Sequence, residues 1–301
     1  MKYLKYIIDQ VRKQTENEEV TDFTGIQDSE FIQYINDAQH SLQAAITSQH
    51  PKVFTKETIL DVVSGQEIYN IPSDCYLGNK IHNIEYSRDG KDENYYPLNE
   101  DSVKSRIGGT TGSPVNYIRM SGKIMILPQA TTGKIRITYV KRVPELDLRR
   151  ALVSSATSSL INLNNSTMLT EVDSLAEHEY VCVVDRKGEI IARDIPFSAV
   201  SSTLITLDNY VPSSEDGTIS AGHYVVGGRN TSTHGEFDES VERYIIAYAA
   251  WKILKRDSSV DSQEAVQELS MMLSDIVKSY GMVSDDVQYI PDLHSWDDWS
   301  Y

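Results

Sequence analysis

The chain has 301 residues, 40% of them hydrophobic and 24% charged, with a formal net charge of −16. No apolar run approaches the roughly 20 residues that cross a bilayer, and so acidic a chain lacks the clustered Lys and Arg that grip phosphates. The charge suits either plain solubility or a surface that repels passing DNA, and two cysteines, Cys75 and Cys182, are too few for a disulfide framework or a zinc site.

Residues 1–16 place Leu4, Ile7, Ile8 and Val11 at helical spacing. Asp9 interrupts the opening apolar run too early for a secretory signal, so an intracellular site of synthesis is the expectation. A polar loop then leads to Asp28, a suitable cap for a second helix, "DSEFIQYINDAQHSLQAAI". Its Phe31, Ile35, Ala38, Leu42 and Ala45 draw one narrow stripe. Two such helices bury too little to persist alone.

From Phe54 to Lys141 the texture becomes that of strands. "FTKETILDVVSGQEIYNIP" reads as two strands about a Ser64-Gly65 turn, and Asp89-Gly90 marks a hairpin in the stretch that follows. "NEDSVKSRI" is expected to be a short helix capped by Asn99. "VNYIRMSGKIMILP" is a hairpin turning at Ser121-Gly122, and "GKIRITYVKR" alternates Ile135, Ile137 and Tyr139 on one face. Short strands with regular turns predict an antiparallel sandwich or barrel.

Beyond "VPELDLRRAL" the chain turns rich in Ser, Thr and Asn. It then recovers into "EYVCVVDRKGEIIARDI", a hairpin about Arg186-Lys187-Gly188, followed by "STLITLDNYV" and "AGHYVVGG". Residues 150–232 therefore read as a second small β unit inserted in the first. The last third returns to helix. Asp238 caps a stripe through Val241, Tyr244, Ile245, Tyr248, Trp251 and Leu254. A second stripe runs through Ala265, Val266, Leu269, Met272, Leu273, Ile276 and Tyr280, with Gly281 as its C-cap.

Four amphipathic segments, two at each end, are expected to cover one another. Each buried Leu, Ile or Phe would contribute about 1.5–3 kcal/mol. The predicted class is α+β: a four-helix bundle from residues 1–50 and 235–281, an antiparallel β domain over 51–146 and an inserted β domain over 150–232. Residues 282–301 are expected to form an arm that lies on a neighbouring subunit or partner protein, a loose terminal tail being the alternative. They hold five aspartates and no Lys or Arg, interleaved with Tyr289, Trp296, Trp299 and Tyr301. Two of three tryptophans in a terminal segment suggest an interface anchor. The binding residues expected there are Tyr289, Ile290, Pro291, Leu293, Trp296, Trp299 and Tyr301.

No catalytic or metal-binding arrangement emerges. "GGTTGSP" lacks the Lys-Ser/Thr ending of a phosphate loop, and the seven histidines never pair at metal-ligand spacing. His178-Glu179 lacks the second histidine of a zinc-protease helix, and no G-x-S-x-G elbow occurs. An enzyme is not expected, and no cofactor is implied. A carbohydrate-binding or carbohydrate-degrading protein is the alternative reading, resting on the β-rich middle and the Tyr95-Tyr96 pair.

The order of elements resembles the head-to-tail adaptor (connector) proteins of tailed bacteriophages, especially short-tailed ones. The resemblance is carried by Tyr34-Ile35-Asn36-Asp37-Ala38, then Gly65, Tyr69 and Ile71-Pro72, then Gly112, Pro114, Tyr117 and Leu127-Pro128. It spans residues 1–146 and 235–281. It implies a virion protein in a ring of identical subunits, twelve in that family, fixed between the portal protein and the tail nozzle and fibres. DNA would pass through the ring without sequence-specific binding, and no membrane would be involved. The resemblance also implies that the C-terminal arm reaches the portal. The insertion at 150–232 departs from the simplest members of that family and is expected to be a docking platform for tail fibres or the nozzle. The alternative for the chain becomes a carbohydrate-binding or carbohydrate-degrading tail component.

Overall fold

The structure, a computed structural model, describes residues 2–15, 26–102, 110–164, 174–213, 216–257 and 263–284. Helix α1 (Leu4–Gln14) buries Leu4, Ile7, Ile8 and Val11, the spacing expected of it. Helix α2 (Asp28–Gln49) buries Phe31, Ile35, Ala38, Leu42 and Ile46, so Ile46 rather than Ala45 ends the fully buried stripe. Asp28 is not the cap. Gln27 occupies that position, and the Asp28 carboxylate instead accepts a 2.6 Å bond from Arg12, whose guanidinium lies 4.8 Å from the centre of the Phe31 ring.

At the other end of the chain, Asp238 accepts from the Ser240 amide and starts a 3₁₀ turn that leads into α3 (Glu242–Asp257). Helix α3 buries Tyr244, Ile245, Ala249, Ala250 and Ile253. The expected stripe is therefore corrected: Tyr248 and Trp251 are half-buried and Leu254 is exposed. Small Ala249 and Ala250 face inward because they let neighbouring backbones approach. Helix α4 (Gln263–Ser284) packs on α2 and α3 and runs through Gly281, which is not a C-cap. A Cβ at Gly281 would lie 2.5 Å from the His50 ring, so glycine there permits the α2–α4 approach. All four helices contribute to one apolar cluster, completed by Val143, Leu146, Leu148 and Phe237.

The middle of the chain forms two four-stranded sheets around a second core. One has the order β1 (Thr55–Asp61), β8 (Lys134–Val140), β3 (Ile81–Ser87), β4 (Tyr96–Pro97). The other runs β2 (Ile68–Asn70), β7 (Lys123–Leu127), β6 (Asn116–Met120), β5 (Asn99–Glu100). Ile135, Ile137 and Tyr139 of β8, with Ile84 of the adjacent β3, pack against Ile124 and Ile126 of the other sheet in one buried cluster. The Ser64-Gly65 turn passes the chain from one sheet to the other, so β1 and β2 do not pair together. Asn99 begins a strand parallel to β6 and not a helix, which makes β5–β6 an exception in otherwise antiparallel sheets. Residues 103–107, the rest of the expected helix, lie outside the described residues.

Beyond β9 (Glu145–Leu146) the chain closes a six-stranded antiparallel barrel. Its strands are β10 (Ala151–Ala156), β11 (Leu160–Asn164), β12 (Tyr180–Val184), β13 (Ile190–Val200), β14 (Leu204–Leu207) and β15 (Tyr224–Gly227). The Ser-, Thr- and Asn-rich stretch thus supplies two of the strands. The chain leaves through β16 (Thr231–Ser232), which pairs in parallel with β9. Entry to and exit from the barrel are consequently bound side by side in a narrow neck.

Candidate interaction surfaces

The neck is held by polar side chains that the helices and strands aim at it. Asn36 of α2 pairs with the Leu146 backbone as a strand would, donating to its carbonyl at 3.0 Å and accepting from its amide at 2.8 Å. Gln43, two turns on, repeats this with the Lys141 carbonyl at 2.7 Å and the Val143 amide at 3.1 Å. Asp147 and Arg150 form a buried bidentate pair at 2.6 and 2.9 Å, and the same carboxylate accepts from the Gly227 amide of the barrel. Arg149 lies between the Tyr3 and Tyr224 rings, 4.6 and 4.3 Å from their centres. Charge, ring faces and backbone therefore tie α1, neck and barrel together.

A second junction joins barrel to sandwich. Arg193 and Asp194 of β13 lie opposite the single residue Cys182 of β12, a bulge that leaves Asp194 at φ +52°. The bulge turns Arg193 outward, where its guanidinium donates to Asp74 at 2.7 Å. Asp74 also accepts from Lys56 at 3.0 Å and from the Tyr139 hydroxyl at 2.6 Å. Burial works against its charge, yet the Tyr139 bond, Arg193 and Lys56 prevail and hold its pKa below the usual carboxylate range. Around this junction lies an open cleft of about 540 Å³ lined by Leu60, Ile71, Ile190, Pro196 and Tyr210 among others.

Other candidates are accounted for by packing. Tyr95 carries the Arg136 guanidinium 3.8 Å from its ring centre, while Tyr96 packs edge-on against Tyr86 and donates to the Pro114 carbonyl. Both rings of the pair proposed as a sugar platform are engaged within the protein. Cys75 and Cys182 are free, buried thiols pushed by that burial to a pKa of about 11. Among the described residues no three His, Cys, Asp or Glu side chains gather as metal ligands, and no helix is long and apolar enough to cross a membrane.

Helix α4 leaves an apolar stripe partly covered. Among its described side chains only Val277 is fully buried; Leu269, Met272, Leu273 and Ile276 are half-covered, Val266 at the stripe's edge is 42% exposed, and Met271 on the other side of the helix is 63% exposed. Helix α3 presents a separate flank with half-buried Tyr248 and Trp251 between Lys252 and Lys255. The expected arm residues, Tyr289, Ile290, Pro291, Leu293, Trp296, Trp299 and Tyr301, lie outside the described residues.

A family model described as SU10 adaptor protein matches residues 2–183, more than half of the chain. The chain belongs to the SU10 adaptor protein family. It is a phage head-to-tail adaptor, a structural component of the virion that associates with other virion parts such as portal and tail. No curated protein matches the adaptor. The residues that sequence reasoning missed are those of the two junctions. Asn36 and Gln43 left a usable signal, two amides seven positions apart beside an apolar stripe; Asp74 and Arg193 left none.

Proposed function

We propose that copies of the adaptor stand side by side in a closed ring between portal and tail nozzle, twelve-membered as the resemblance implies. The carrying observation is the half-covered apolar stripe of α4, with exposed Val266 at its edge and exposed Met271 on the other side of the helix. A lone chain gains little from exposing these side chains, and copies flanking it on either side would bury them. In this reading residues 1–50 and 235–281 form a four-helix body that lines the DNA channel. The sandwich over 51–146 and the insertion over 150–232 project outward as platforms for nozzle and fibres. Residues 282–301 act as the arm that grips the portal, with Trp296 and Trp299 as anchors. The acidic balance leaves passing DNA unbound during ejection, and assembly takes place in the host cytoplasm.

Two variants test the reading. Val266→Glu with Met271→Glu should leave circular dichroism unchanged and abolish rings on purified portal in electron micrographs. Rings of normal size from this double variant would remove α4 from the interface. Trp296→Ala with Trp299→Ala should abolish capture by portal rings in a pull-down; undiminished capture would dismiss the arm.

A further inference from the structure

The α3 flank carries an unusual combination for so acidic a chain. Tyr244, Tyr248, Trp251, Lys252 and Lys255 follow one another at helical steps of four, three, one and three. Trp251 meets Tyr248 at 5.7 Å between ring centres, and both lysine ammoniums lie 5.2–5.4 Å from the centre of its ring. The Trp251 indole N–H has no hydrogen-bond partner among the described residues. Neither lysine has a carboxylate partner among the described residues, although the chain holds 44 Asp and Glu. Arg256, one position on, by contrast pairs with Glu30. Two lysines framing an indole form a surface suited to an aromatic, acidic peptide.

This chain contains such a peptide. Residues 285–301 hold five aspartates, two tryptophans, two tyrosines and no Lys or Arg. They begin where α4 ends, and Tyr280 on the last turns of α4 lies against Asp238, just before α3. From Asp238 to Trp251 is roughly 20 Å along the helix axis. Seventeen extended residues span up to roughly 60 Å, so the segment reaches the flank with length to spare. A tethered segment also meets its own chain at a far higher effective concentration than it meets a second copy.

We propose that the Tyr248–Trp251–Lys252–Lys255 flank of α3 is the docking site of the chain's own residues 285–301 in the free protein. The segment folds back along α3, sets its tryptophans beside Trp251 and places its aspartates on the two lysines. Portal binding then has to lift it. The inference rests on the reading of 285–301 as an interaction arm and adds where that arm lies before a partner arrives.

Zero-length carbodiimide coupling on the full-length protein tests it, using an equal mixture of isotope-labelled and unlabelled copies. Lys134 and Asp61, exposed and 3.6 Å apart, provide the internal control. The expected result is coupling of Lys252 or Lys255 to Asp292, Asp297 or Asp298, with both peptides from the same isotopic copy. It should fall roughly tenfold in 1 M salt, where the screening length is ~3 Å, and as far in Trp296→Ala with Trp299→Ala. Control coupling without any Lys252 or Lys255 product would overturn the proposal, as would products that join labelled to unlabelled copies. A protein that is captured by portal but lacks the coupling loses only the docking site. One that couples but is not captured loses only the portal reading.

Discussion

Arg193 links barrel to sandwich through a residue that must itself stay charged. Asp74 has three donors, so removing one does not leave it bare. Arg193→Ala is therefore expected to lower unfolding free energy by about 1–3 kcal/mol, read as an earlier urea midpoint. The sign of the pH effect follows from the lowered Asp74 pKa. Its contribution is complete above the unfolded-state value near 3.8 and is lost as pH falls through the depressed native value. The native urea midpoint should thus drop in strongly acid solution, and Asp74→Asn, which starts lower at pH 7, should drop less over the same range. An equally steep fall in Asp74→Asn would assign the titration elsewhere. At Gly281 the constraint is steric. Gly281→Val would drive side-chain carbons into His50 and should destabilise the α2–α4 contact by about 1–3 kcal/mol.

Elements were legible in proportion to how local their cause is. The apolar steps of α1 and α2 mark helices because one face of each meets a single core, and β8 alternates because only one of its faces is buried. Partnership is not local, which is why the strands on either side of Ser64-Gly65 gave no hint that they belong to different sheets. The α3 stripe differs from the expected one because the core accommodates the small Ala249 and Ala250 and leaves the bulkier Tyr248 and Trp251 at its margin and Leu254 outside. The barrel's opening strands stood out only as a Ser-, Thr- and Asn-rich stretch since their outward positions include Ser and Asn. At the neck, α2 acts as a surrogate strand, so Asn36→Ala would leave the Leu146 amide and carbonyl without partners. A loss of about 1–3 kcal/mol is expected, with hydrogen exchange accelerated first at residues 144–148. Exchange that quickens uniformly across the chain would mean the neck is no weak point.

At the scale of the whole molecule, an apolar face on α4 and a net charge of −16 pull in opposite directions. The face favours contact between copies, and the charge opposes it over a Debye length of about 10 Å at 0.1 M salt, shrinking to ~3 Å at 1 M. Free adaptor should therefore sediment as a monomer at low salt and begin to associate as salt is raised. A basic or polar partner that seats the first copies would do the same work locally, so rings should form on portal at salt concentrations where free chains stay apart. Val266→Glu with Met271→Glu adds charge to the contact itself and should prevent association at every salt concentration. Stable rings from isolated wild-type chains at low salt would show that repulsion is too weak to matter, and that ring closure needs no partner to start it.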